Sequence, residues 1–244
     1  MNHEDYCDAL ASEVDRFADG YATADRTSQV PSCPDWSVEE LARHLGSVHR
    51  WATLLVARRA PARIPRVLAD DVIDEVWIRE GGAELVEVLR AADPDESMWA
   101  WGADQHVRFW SRRQLHETFV HRLDLELATR APSPIEPGIA FDAIDEFLAN
   151  MASDADISLR ARDGRSEEFL RFHSNDPEGQ WSVRLGEGGY EFLDSYVDPD
   201  VELSGASSDL VSVVLRRCDL SAVPVVVRGD RSLLEHWLSR TAFL

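Results

Sequence analysis

The sequence predicts an α+β chain, a bundle of four amphipathic helices followed by a small α+β domain. Three observations carry this. Apolar residues recur at helical spacing, with turn residues between the runs, as far as about residue 152. A Pro-rich break, APSPIEPG at residues 131–138, interrupts the pattern. Beyond about residue 155 the apolar period drops to that of half-buried strands. The expected domains are residues 1–153 and 154–244, with the helix over 138–152 free to dock on either.

Each element follows from its own residues. Leu10, Val14, Phe17 and Tyr21 are spaced for a first helix over residues 3–24. TSQVPSCPDW, broken by Pro31 and Pro34, reads as a loop. Ser37 with Glu40 three residues later forms a capping-box signature that opens the second helix. Leu41, His44, Leu45, Val48, Trp51, Ala52 and Leu55 make one arc of that helix, with His49 at its edge. Pro61 and Pro65 mark a connection. A third helix is expected over about 70–92 from Val72, Val76, Leu85, Val88 and Leu89, with Gly81–Gly82 as a weak point. A link carrying Met98, Trp99 and Trp101 leads to a fourth helix over 107–129. In the second domain the expected strands are Ile157–Leu159, Phe169–Phe172, Trp181–Leu185, Tyr190–Leu193, Val201–Leu203 and Pro224–Arg228. Turns are expected at Asp163–Gly164, Asn175–Asp176 and Gly188–Gly189, and helices over Ser207–Arg217 and Ser232–Arg240.

Composition narrows the function. Of 244 residues, 44% are hydrophobic, enough for a real core. The net charge of −20 argues against nucleic acid or an anionic membrane as a general partner, since both favour basic surfaces. No apolar run approaches the ~20 residues that span a bilayer, and the acidic N-terminal stretch is unlike a signal peptide. Three widely spaced cysteines, Cys7, Cys33 and Cys218, form no CxxC pair and support neither a disulfide framework nor a cysteine zinc site. A reduced, cytoplasmic protein is expected.

The fourth helix holds the candidate chemistry. Trp110, Gln114, Glu117, His121, Asp124 and Ala128 share a narrow arc beside the apolar stripe of Phe109, Val120, Leu123 and Leu127, while Thr118, Arg122 and Glu126 lie on the far side. Polar groups so placed need partners. Glu117 and His121, one turn apart, point the same way and can grip one ion. Alone, Glu-x-x-x-His is common by chance, and the bland reading is a core histidine satisfied by a carboxylate. His44, on the buried arc of another helix, supplies a third ligand, and His₂Glu leaves a coordination position open as in catalytic zinc sites. His49 and His116 compete, but their helical angles place them off this face. Asp124 can orient His121 through its second ring nitrogen, or pair with an arginine. Cys33, in SCPDWS, has no electropositive neighbour in sequence and reads as packing. The tryptophans read as core, and the carboxylates of 70–96 as a solvated face.

VPSCPDWSVEELARHLGSVHRW (residues 30–51) and FWSRRQLHETFVHRLDLELA (109–128) resemble the metal-binding motifs of the mycothiol-dependent maleylpyruvate isomerase family. The tail VELSGASSDLVSVVLRRCDLSAVPVVVRGDRSLLEHWL (201–238) is similar to that family's sterol-carrier-protein-like domain. The resemblance implies a DinB-like four-helix bundle with one divalent metal, usually zinc, on His44, Glu117 and His121. It also implies mycothiol as thiol cofactor. The reaction class is cis–trans isomerisation by reversible thiol addition, or S-transfer of mycothiol to a small electrophile. A substrate-holding arginine of the family carries over to Arg217, or to its neighbour Arg216. The competing reading is a non-catalytic, metal-dependent binder of small ligands. A zinc-binding anti-sigma regulator is excluded because no HxxxCxxC pattern is present.

Overall fold

The computed structural model describes residues 1–69, 72–153, 167–186, 189–193 and 197–241. The chain divides into two compact units, Met1–Ser133 and Pro134–Leu244.

In the first unit, α1 (His3–Thr23) begins with a reciprocal cap between Asn2 and Asp5. The α2 helix (Val38–Ala57) opens on the expected capping box: Glu40 N–H donates to Ser37 Oγ, and Ser37 N–H donates to Glu40 Oε2 at 2.7 Å. The α3 helix (Glu75–Ala91) and α4 (Val107–Thr129) complete the bundle. Helix α1 packs on α3 and α4, and α2 packs on the same two. Phe17, Tyr21, Leu41, Leu45, Ile78 and Leu125 meet in the core. Trp110 is core, as expected, and packs with the partly buried Trp51 and Trp99, the three ring centroids 5.4–6.1 Å apart. Trp110 Nε1 donates to the Trp99 carbonyl at 3.0 Å.

Three sequence expectations change here. The segment 28–37 is not a plain loop: β1 (Gln29–Val30) and β2 (Cys33–Ser37) pair antiparallel across Pro31–Ser32. Strands this short and rich in proline give no period to detect, and Pro is tolerated at a sheet edge. Helix α3 starts only at Glu75, behind an Asp74 cap, and Val72 and Val76 are exposed. The buried stripe is instead Ile78, Leu85, Val86 and Leu89. Gly81–Gly82 does not break the helix. A Cβ at Gly82 would meet Val14 at 2.5 Å and one at Gly81 would meet Arg50 at 2.2 Å, so both glycines permit close packing. Glu80, Glu84 and Glu87 form the solvated face.

Helix α4 is the centre of the first unit. Its far side is as buried as its apolar stripe: Thr118 and Arg122 are 0% and 1% exposed. Arg122 donates to Glu13 of α1 and to Glu126 at 2.6 Å, and Arg16 donates to Glu13 at 2.7 Å. Charges taken out of water this far persist only when paired.

The second unit is a mixed five-stranded sheet with helices. Helix α5 (Pro137–Ser153) belongs to it, packing on α6 (Ser207–Val214) and on β5 (Gly189–Leu193). The units divide at 133/134, against expected domains of 1–153 and 154–244, and the helix expected to dock on either one packs with the sheet. The other strands are β3 (Glu168–Asn175), β4 (Glu178–Gly186), β6 (Val201–Gly205) and β7 (Val226–Gly229), in the order β5-β4-β3-β6-β7. Among the described residues, only β3 and β6 run parallel. Arg171 of β3 faces Glu202 of β6 in register and donates to it at 3.2 Å. Trp181 Nε1 donates to Asp145 of α5, and Trp237 of α7 (Arg231–Arg240) packs on Phe172. The expected strand Ile157–Leu159 and the turn at Asp163–Gly164 lie outside the described residues, as does Gly188 of the Gly188–Gly189 turn. Helix α6 ends at Val214 and not at Arg217: Arg216 takes φ +63°, and the N–H groups of Arg217 and Cys218 close on the Ser212 carbonyl.

Candidate metal centre

The capping box fixes the start of α2, and its first turns present His44 toward α4. There His44 Nε2 lies 3.3 Å from Glu117 Oε1. His121 Nε2, one turn along α4, lies 3.3 Å from the same oxygen. The two rings meet nearly edge-on, 5.0 Å between centroids at 77°. One ligand atom from each of His44, Glu117 and His121 falls within 4.8 Å of the others. This is the trio the helical angles favoured.

The surroundings orient each ligand. His121 Nδ1 is 2.9 Å from Oδ2 of Asp124, a carboxylate with no exposure, so its Nε2 is the nitrogen turned to the group. Ser32, at the tip of the β1–β2 hairpin, donates to the other Asp124 oxygen. Trp36 of β2 lies over His44, with centroids 4.6 Å apart, and 6.3 Å from His121. Arg113, one turn before Glu117, donates to its Oε2 at 3.1 Å.

The electrostatics follow from these contacts. Burial pushes the Glu117 carboxyl up, but hydrogen bonds from His121 and His44 outweigh it and, with the charges of His121 and Arg113, hold it well below the usual range. Burial pushes His121 down, yet its bonds to Asp124 and Glu117 win and raise it to about 9. Burial dominates at His44 and lowers it, despite the Glu117 bond.

The donor set fits a divalent metal. Two imidazole Nε2 atoms and a carboxylate oxygen converge, and the outer nitrogen of His121 is committed to a carboxylate, the arrangement that makes an imidazole a directed metal ligand.

His49 and His116 stay out of the group. His49 is not at the edge of its helix but wholly buried, because α4 covers that side too. Thr118 commits its hydroxyl hydrogen to the Gln114 carbonyl, so His49 Nε2–H donates to Thr118 Oγ at 2.9 Å. Burial lowers His49 to about 3, and it is neutral. His116 faces Tyr6 of α1. Cys33 is partly buried and packs against the core. Arg217 sits in the turn after α6 of the second unit, its Nη1 donating to the Leu215 carbonyl at 2.5 Å, while Arg216 is exposed.

Sequence reasoning missed Ser32, Trp36 and Arg113. Arg113 was accessible, since it stands at i−4 from Glu117 on the same helix. Ser32 and Trp36 reach the site only through the fold of the hairpin.

Fold and site together define a class: a helical bundle presenting a candidate His–Glu–His metal group, in a chain that continues into an α+β unit. Residues 7–126 match the family described as "Mycothiol maleylpyruvate isomerase N-terminal domain". The solved structure of the mycothiol-dependent maleylpyruvate isomerase is similar at a TM-score of 0.62 and 13% identity, over 94% of this chain and 95% of that one. Its H52A mutant is similar at 0.60 and 12%, over 89% and 90%. These likenesses show the α+β fold over most of the chain. A ubiquinone synthesis protein described as UbiJ-SCP2 overlaps 44% of this chain and 96% of its own at 15% identity, but its TM-score of 0.32 adds no weight. No curated protein matches in sequence. Among the described residues, no helix is long and apolar enough to cross a membrane.

Proposed function

We propose that this chain is a metal- and mycothiol-dependent enzyme acting on a small electrophile, either as an isomerase or as an S-transferase. The observation that carries the reading is the convergence of His44, Glu117 and His121 on helices that match a domain of this family, with three ligands and therefore an open position. A divalent metal, zinc by donor type, would supply Lewis acidity there for activating a thiol. His44, Glu117 and His121, whose ring nitrogens and carboxylate oxygen converge, would hold it. Arg113 donates to Glu117 and adds to the bonds from His121 and His44 that keep it ionised, Asp124 fixes the ring of His121, and Trp36 covers His44. Cys33 packs in the core cluster, so the nucleophile is assigned to the cofactor's thiol. Arg217 is assigned to a substrate carboxylate on the sequence resemblance.

The test is metal analysis of the purified protein, then an electrophile screen with and without mycothiol, on wild type, Cys33→Ala and Arg217→Ala. Turnover that needs both metal and mycothiol, survives Cys33→Ala and loses substrate affinity in Arg217→Ala is expected. A stable thioether product marks the transferase, and its absence with a geometric isomer formed marks the isomerase. Thiol-independent turnover lost with Cys33 overturns the mechanism. Bound metal without turnover for any pair leaves the non-catalytic binder.

A further inference from the structure

Asp124 joins two elements far apart in sequence. Its Oδ2 meets His121 Nδ1, and its Oδ1 accepts from Ser32 at the hairpin tip, 92 residues away. The same hairpin sets Trp36 over the His44 ring. One small turn thus touches both histidines, His121 through a carboxylate and His44 by ring packing. Nothing in the helical pattern demands a hydroxyl at position 32, since the turn closes through backbone pairing of Val30 with Cys33.

We infer that Ser32 is a positioning residue for the metal group, acting through Asp124 to hold His121 in its ligating orientation. The reasoning is geometric. A carboxylate bound at one oxygen can still swing about its Cβ–Cγ bond, and the imidazole it holds swings with it. The Ser32 hydroxyl on the second oxygen restrains that swing and helps hold His121 Nε2 toward Glu117 Oε1. Residues around a ligating histidine commonly change metal affinity roughly tenfold to a hundredfold. Ser32 belongs in that range although it touches no ligand, because Asp124 is wholly buried and the hydroxyl supplies one of its hydrogen bonds.

The inference rests on the metal reading above, and its test separates the two. Zinc affinity is measured by competition with a chromophoric chelator for wild type, Ser32→Ala, Ser32→Cys and Ser32→Thr. Nitrogen-15 shifts of the His121 ring are recorded on the same metal-free proteins. Ala and Cys should weaken zinc binding about tenfold or more, since neither offers a strong donor, while Thr should bind nearly as wild type. The His121 nitrogens should shift in Ala and Cys and stay in place in Thr. Wild-type affinity in Ser32→Ala overturns the inference, as does a Thr variant as weak as Ala, which would make packing and not the hydroxyl the agent. If wild type itself binds no zinc, the metal reading falls and the ring shifts decide: unmoved nitrogens in Ser32→Ala overturn the role of Ser32, and moved ones sustain it.

Discussion

His44 and His121 stand on helices α2 and α4, yet each sets its Nε2 3.3 Å from one oxygen of Glu117. A metal replacing that shared contact needs all three. His121→Ala and Glu117→Ala should each lose most of the bound metal, measured by mass spectrometry of the purified variants. His49→Ala and His116→Ala should keep it, because those rings face Thr118 and Tyr6. Full occupancy in His121→Ala would sink the assignment.

Zinc binding should be coupled to pH through His121. Without metal its imidazole is held protonated up to about 9, above its ordinary value of 6.5. A raised folded value stabilises the protonated fold: the contribution is complete below about 6.5 and is lost as pH rises through about 9. Metal must displace that proton. Apparent zinc affinity should therefore climb between about pH 6 and about pH 9 and then level. Competition titrations across that window check it, and a flat profile would refute the coupling.

Thr118→Val should destabilise the first unit without removing the metal. The substitution keeps the shape but leaves the Nε2–H of a wholly buried His49 without its acceptor. The cost should be about 1–3 kcal/mol by denaturant unfolding. Metal content should match wild type.

Arg122 and Glu13 should show strong non-additivity. Arg122→Met removes the cation facing the buried Glu13 and the partly buried Glu126, and should cost roughly 3–5 kcal/mol, since the Glu13 carboxylate is left inside. Adding Glu13→Gln should restore part of that loss. A double-mutant cycle by urea unfolding reads the coupling, and additive effects would mean the pair is solvated.

Residues 1–133 should fold alone and hold metal, because the helices close on one core and the three candidate ligands all stand on them. Limited proteolysis of the full chain should cut near residues 130–137. Cleavage concentrated inside α4 would contradict this organisation.

Much of this protein was legible before any coordinates. Ser37 and Glu40 announced the start of α2, and the three-faced pattern of 107–129 announced a helix whose polar groups needed partners. The i,i+4 pair Glu117–His121, with His44 on a second arc, picked out the candidate metal group, because side-chain direction on a helix follows from residue spacing alone. The second unit's strands from Glu168 onward were legible from their alternation for the same reason.

Long-range packing decided the rest. Angles put His49 at the edge of α2, but burial depends on which helix lies across that edge, and α4 does. Val72 and Val76 had the right spacing and no neighbour to cover them. Whether α5 belonged with the helices or the sheet depended on which surface matched its face, and α6 with β5 supplied it. The hairpin that brings Ser32 to Asp124 and Trp36 to His44 has no local period, because its partners lie on α2 and α4. Spacing along a chain specifies direction; only the folded chain specifies what stands opposite.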